Sequence, residues 1–267
     1  MASGFRRFGG ALRGDGALVK KVAILAWNCW LDNLGSRFYA ISIIFGIVIL
    51  YISLLLGMLA ADQELRVLLD FGLGFIELMG LAGAVFGAAT AVLREIESKT
   101  IYLILTRPVS RSQYLAGRFL GLMFSALVSM LIMAVLHLAI LFFKGWTWDR
   151  AYLLAFVGIY FKVLITAAVT LFLSLFSSSV LTAMIIAAIL WTLGHFLPEI
   201  RVMTPWARPA LWPLAGLSYV IPDLQLFNLR DRLADPQWPL LAWTGYAFVY
   251  SLAWLMLAGF WLRKKEF

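Results

Sequence analysis

One cysteine, Cys29, stands among 267 residues, so no disulfide can close within the chain. Charge is scarce as well: Asp, Glu, Lys and Arg make up 13% of the sequence, where a soluble domain carries about a quarter. Proline is nearly confined to one stretch, with Pro108 the only one outside Pro198–Pro239. Histidine occurs twice, as His137 and His195, without metal-ligand spacing. The sequence has no Gly-x-x-x-x-Gly-Lys-Ser/Thr phosphate loop, no His-Glu-x-x-His and no Gly-x-Ser-x-Gly. The expectation is a chain that is not an enzyme by itself and holds no catalytic residue, no cofactor and no metal.

What is abundant is apolar surface, 63% of residues, arranged in blocks rather than stripes. Phe38–Ala60 is an uncharged run of 23 residues between Arg37 and Asp62. At 1.5 Å per residue it can cross roughly 30 Å of hydrocarbon. Five further runs follow: Phe71–Leu93, Phe119–Phe143, Ala151–Phe176, Val180–Leu197 and Leu240–Leu262. Only Ser177, Ser178 and Ser179 separate the fourth span from the fifth. The 47 residues from Ala151 to Leu197 are nonetheless too many for one crossing. The predicted fold is all-α and polytopic, with six transmembrane helices over 38–267 preceded by a leader over 1–37.

Basic residues set the orientation. Arg66, Lys144, Arg150, Arg201, Arg208, Arg230 and Arg232 fall on one side, Lys162 lies within the fourth span, and the other fourteen Lys and Arg fall on the opposite side. The richer side is expected to be cytoplasmic and to hold both termini. The net charge of +8 then matches anionic inner-leaflet lipid rather than nucleic acid. The first long apolar run begins too late, and runs too long, for a cleaved export signal.

Within the leader, Val22, Leu25, Ala26 and Cys29 share a helical face, and Lys20, Lys21, Trp27 and Trp30 flank it. That pattern predicts an amphipathic helix over Leu18–Leu34 in the inner interface. The proline-rich stretch 198–239 is too broken for one helix and too apolar for a free loop. Short helical pieces anchored by Trp206, Trp212 and Trp238 are expected there, and Pro222–Asn228 reads as a turn leading into a packed segment.

The connection between the second and third spans runs from Arg94 to Arg111. Ile96, Ile101, Leu103, Ile104 and Leu105 give it an apolar face behind a charged start. Pro108 ends its helix near Thr106, and Ser110 with Gln113 has capping-box spacing at the start of the next one. A short surface helix elbowed rigidly to a membrane helix is predicted. The plain alternative is a charged loop obeying the inside-positive bias.

This stretch resembles ABC type-2 exporter permeases, in which a segment of the form Glu-x-Glu-x-x-Thr, Leu, Pro-x-Ser-Arg, Gly-basic joins the second and third spans. Here those positions are Glu95, Glu97, Thr100, Leu105, Pro108, Ser110, Arg111, Gly117 and Arg118. Many relatives have Gly just before the Thr, where this chain has Lys99. Tyr219–Leu229 is similar to Leu-Pro-Asn-x-x-x-Phe segments of the same family, and the span count agrees. The resemblance implies a permease subunit of an ATP-driven exporter in the plasma membrane, or the inner membrane of a Gram-negative cell. It would pair with a second permease copy, and two cytoplasmic ATPase subunits would bind the ATP and Mg. Arg94, Glu95, Glu97, Thr100, Leu105, Arg107, Pro108 and Arg111 would form the coupling helix that meets the ATPase.

Three polar side chains sit inside the spans. Lys162 lies near the middle of the fourth, where insertion costs about 2.5–3.5 kcal/mol. Glu77 and His137 lie in the outer parts of the second and third. They are candidates to face a polar cavity or to pair across the bundle, although Glu77 can instead snorkel outwards. Each histidine can also simply satisfy local hydrogen bonds. Gly83 with Gly87, and Gly117 with Gly121, have the Gly-x-x-x-Gly spacing of close helix packing, within the chain or between copies. A lipid-modifying membrane enzyme and a secondary transporter or channel are the competing functions. The first needs more polar residues in the spans, and the second usually shows repeats or broken spans. Apolar spans favour a lipid-like, amphipathic or drug-like cargo over a bare ion.

Overall fold

The computed structural model describes residues 20–33, 37–59, 63–97, 110–203, 216, 220–228 and 240–264, and among them no strand occurs. The helices are α1 (20–33), α2 (Arg37–Leu59), α3 (Glu64–Glu97), α4 (Arg111–Phe143), α5 (Arg150–Ser174), α6 (Val180–His195), α7 (Leu197–Met203) and α8 (Leu240–Lys264). A 3₁₀ turn, Gln225–Phe227, lies between the last two. Met1–Gly16, Trp206, Trp212 and Trp238 fall outside the described residues.

Local chemistry fixes the helix starts. Ser110 caps α4, its hydroxyl accepting from Gln113 N at 3.2 Å while Ser110 N donates to Gln113 Oε1 at 3.0 Å. Asp149 caps α5 through Ala151 N, 3.0 Å. Ser179 caps α6 through Thr182 N, 3.2 Å, which makes the serine triplet the break between two helices.

Four helices, α3, α4, α5 and α8, are long and apolar enough to cross a membrane. α2 is a further apolar helix of 23 residues. α6 has 16 residues and rises about 24 Å, less than the ~20-residue length of a full crossing. At the centre is α5, every residue of which from 161 to 171 is buried. It packs between α3 and α8, and α2 and α4 lean on α3. Outward faces are apolar, as at Val135, Leu181, Ile185, Val249 and Met256, and suit lipid rather than water. The buried hydroxyls of Thr166 and Thr170 donate to carbonyls one turn back at 2.8 and 2.7 Å, so no unmet polar group is placed in the core there.

Several ends differ from the apolar runs. α3 begins at Glu64 rather than near Phe71, and α4 at Arg111 rather than near Phe119. The runs stop where charge begins, but a helix does not. Glu64 at the start of α3 meets Lys144, just beyond α4, at 2.5 Å, which holds those charged ends together. Within the proline-rich stretch, Ile221–Leu224 and Phe227 are buried as expected. Leu224 N donates to Gly194 O at 3.1 Å, Asp223 N donates to Tyr246 Oη at 3.0 Å, and Arg201 donates to Asp223 at 3.0 Å. A Cβ on Gly194 would meet Pro222 O, so only glycine lets this segment lie so close to α6.

Candidate functional site

At the capped end of α4, three elements meet. The guanidinium of Arg111 donates to the last carbonyls of α8, Leu262 O at 2.6 Å and Arg263 O at 3.1 Å. Those carbonyls have no partner inside their own helix, so a cation there completes α8 as well as anchoring α4. Arg263 in turn donates to Ser112 Oγ at 2.8 Å. About two to three turns further along, Gly117 and Gly121 form a groove that receives α1. A Cβ on Gly121 would lie 2.7 Å from the Cys29 Cβ, and one on Gly117 would lie 2.6 Å from the Leu25 Cβ. This Gly-x-x-x-Gly pair therefore packs within the chain. Arg118 pairs with Asp32 at 3.6 Å, and Trp30 meets Phe124 edge-on with centroids 5.1 Å apart.

Cys29 reports on this contact. The residue is 3% exposed, and its Sγ donates to Arg118 O at 3.5 Å. Burial pushes the thiol up, against a smaller lowering by the Arg118 guanidinium, so little thiolate exists at neutral pH. Maleimide labelling of Cys29 is expected to be slow in the native protein and at least ten times faster in Gly121→Leu, which forces α1 off its groove. Equal rates in the two proteins would mean that α1 does not rest there.

Of the other residues expected to couple to an ATPase, Arg94, Glu95 and Glu97 form the last turn of α3. Thr100, Leu105, Arg107 and Pro108 lie outside the described residues.

Inside the bundle, the sequence's buried charges assemble in part. Lys162 on α5 is 1% exposed and Glu77 on α3 is 5% exposed. Lys162 Nζ donates to Glu77 Oε1 at 2.8 Å. Glu77 does not snorkel; it turns inward and accepts from Lys162. His195, at the end of α6, completes the group. Its Nδ1 lies 3.0 Å from Trp191 O, a carbonyl that can only accept, so that nitrogen carries the proton. Nε2 is left to accept from Lys162 Nζ at 3.2 Å. The 3.5 Å approach of Nε2 to Glu77 Oε1 then sets two acceptors side by side rather than an ion pair. The arrangement is a lysine ammonium shared by a carboxylate and an imidazole from two neighbouring helices.

His137 does not join it. Its ring is buried between α3 and α5, Nδ1 3.0 Å from Tyr152 Oη and Nε2 3.2 Å from Leu68 O. That satisfies both nitrogens and makes His137 a helix tie, one of the two uses the sequence left open. His195 was passed over in the sequence for want of metal spacing. The usable signal was depth: two residues from the outer end of the fifth apolar run, it matches Glu77, six residues from the outer end of the second.

Gly87 faces Leu122 of α4 closely, but a Cβ on Gly83 would meet nothing within 4 Å. The close face of α3 instead runs through Gly72, Gly80 and Gly87, against His137, Met130 and Leu122. Within the chain, contact with α4 thus follows a seven-to-eight-residue spacing, two helical turns per step, rather than the Gly83–Gly87 pair.

A cavity of about 480 Å³ opens beside the charge cluster, between α3 and α6. Glu77 and His195 stand in its wall, with Asp70 and the rings of Phe71, Phe75 and Trp191. Among the described residues, no three His, Cys, Asp or Glu side chains converge as a metal site.

No curated protein matches the sequence. The model of the ABC-2 family transporter protein matches residues 60–260, which takes in every element from α3 to the 3₁₀ turn and most of α8. With a match over well more than half of its length, on a bundle of apolar helices, the chain belongs to the ABC-2 transporter family and is a membrane permease component of an ABC transporter.

Proposed function

We propose that this permease serves an ATP-driven exporter of the plasma membrane. Its six spans are α2, α3, α4, α5, α6 and α8, with both termini on the cytoplasmic side. Two copies of a separate ATPase bind ATP and Mg, and the permease works beside a second permease copy, most simply its own. The inside-positive bias supports the orientation. The observation that supports the reading is the start of α4, where a capping box fixes the first turn and the Arg111 bonds tie it to the end of α8. A helix start tied to its neighbour passes on movement that an untied one absorbs. Closure of the ATPase dimer presses on the segment from Arg94 to Pro108, and α3, α4 and α8 tilt together.

The test is co-purification of the tagged full chain from native membranes, followed by transport in inside-out vesicles. A cytoplasmic ATPase is expected to come down with the chain in a one-to-one ratio, and uptake is expected to need ATP. A chain that moves its cargo in liposomes with no ATPase present overturns the reading.

A further inference from the structure

Between α4 and α8, next to the Arg111 contact, lies an open groove of about 380 Å³. We infer that it holds one anionic phospholipid, a ligand that needs only the chain's place in a membrane and goes beyond the exporter reading. On α8, Leu252, Met256, Gly259 and Arg263 recur every three to four residues and so form one wall. Ser112 and Leu115 of α4 close the other side. Leu252 and Met256 are exposed, and Gly259 deepens the floor, since the nearest atom to a Cβ there would be Ser112 Oγ, 3.8 Å away. From Leu252 to Arg263 the wall rises about 16 Å at 1.5 Å per residue. That is about half of the ~30 Å hydrocarbon thickness, the depth of one leaflet. An acyl chain lying along α8 has that reach.

The chemistry changes at one end. Arg263 lines the groove, and its guanidinium donates to Ser112 Oγ at 2.8 Å. That bond holds the guanidinium at the mouth and uses one of its five N–H donors, so a phosphate can take others. Lys264 places its ammonium 4.5 Å from the ring centroid of Phe260, another wall residue. Arg111, bonded to the Leu262 and Arg263 carbonyls, adds a third positive charge. Among the described residues that line the groove there is no Asp or Glu. A choline headgroup would bring a further cation to this end, and a free phosphate would leave the apolar wall uncovered. Only an anionic lipid matches both parts. The orientation proposed above puts this end at the inner leaflet, where anionic lipid is available.

The test is native mass spectrometry of the full chain, with its co-purifying subunits, released from detergent after titration with dioleoyl phosphatidylglycerol or dioleoyl phosphatidylcholine. The first phosphatidylglycerol is expected to bind at least ten times tighter than phosphatidylcholine. Arg263→Gln, at an exposed position, should weaken it at least fivefold. So should Gly259→Leu, which fills the groove and keeps every charge. Lys20→Gln removes an equal charge from an exposed position on α1 and should stay within about twofold. Equal affinity for the two lipids refutes the inference, as does an equal loss in Lys20→Gln and Arg263→Gln, which would mean diffuse charge. Tight binding that survives Gly259→Leu removes the lipid from this groove. If that variant also turns a dimer into a monomer, the groove seats a second copy instead. An ATPase present in a preparation with no lipid preference leaves the permease reading standing while this inference falls.

Discussion

Replacing Lys162 with methionine is expected to lower the stability of the bundle by about 3–5 kcal/mol, the cost of stranding one member of a buried ion pair. The loss falls on Glu77, which is 5% exposed and draws its ammonium partner from Lys162 at 2.8 Å. His195 Nε2 lies 3.5 Å from the same carboxylate oxygen, farther than the 2.8 Å of Lys162, and makes a poorer partner. The double variant Lys162→Met, Glu77→Leu should recover at least half of the loss, because removing both charges leaves neither one unpaired. Thermal unfolding of the four proteins of this cycle in one detergent checks the point. A single variant within about 1 kcal/mol of the native protein would remove the pair from the list of stabilising contacts. Full transport by Lys162→Met would also show that the charge has no part in the cycle.

The second large effect is functional. Arg111→Ala is expected to leave ATP hydrolysis by the complex within about twofold and to cut transport at least tenfold. Its guanidinium reaches two carbonyls of α8, and charge-assisted bonds of this kind contribute about 1.5–3 kcal/mol each. On the proposed coupling, α4 then moves while α8 lags, and work from an ATPase is not passed on. Arg111→Lys, which reaches one carbonyl as a point charge but cannot fork, should fall between. Parallel loss of both activities would point to a damaged fold rather than to lost coupling, and full transport would show that Arg111 carries no load.

How much of this was legible in the sequence follows from range. The Ser110–Gln113 box was readable because both partners lie within one helical turn. The break at Ser177–Ser179 was readable from length alone, since no single crossing needs 47 residues. The outer start of α3 was not, because hydropathy trims Glu64 and Arg66 away while the backbone continues through them. The Glu77–Lys162 pair joins residues 85 apart, so the sequence could name two costly charges but could not show that they meet. Arg111 stood out as part of a motif facing a partner protein, yet its bonds in this chain go to α8, 151 residues away. Gly83 was chosen on spacing and meets nothing among the described residues, whereas Gly72 and Gly80, outside that motif, meet α4 as Gly87 does. Spacing finds a face only when the neighbouring helix follows the same line.

The unbroken length of α3 has one further consequence. Its 34 residues rise about 51 Å and carry Glu77 on the same rod as Arg94, Glu95 and Glu97. Two sites on one stiff element bias a shared equilibrium, and thermodynamic linkage makes that influence mutual. Whatever factor a partner at the Arg94 end applies to the Glu77–Lys162 pair, the pair must return to that partner's affinity. Stability of the pair measured on the bare permease is therefore one corner of a square, and a partner's affinity for the native chain and for Lys162→Met supplies the opposite side.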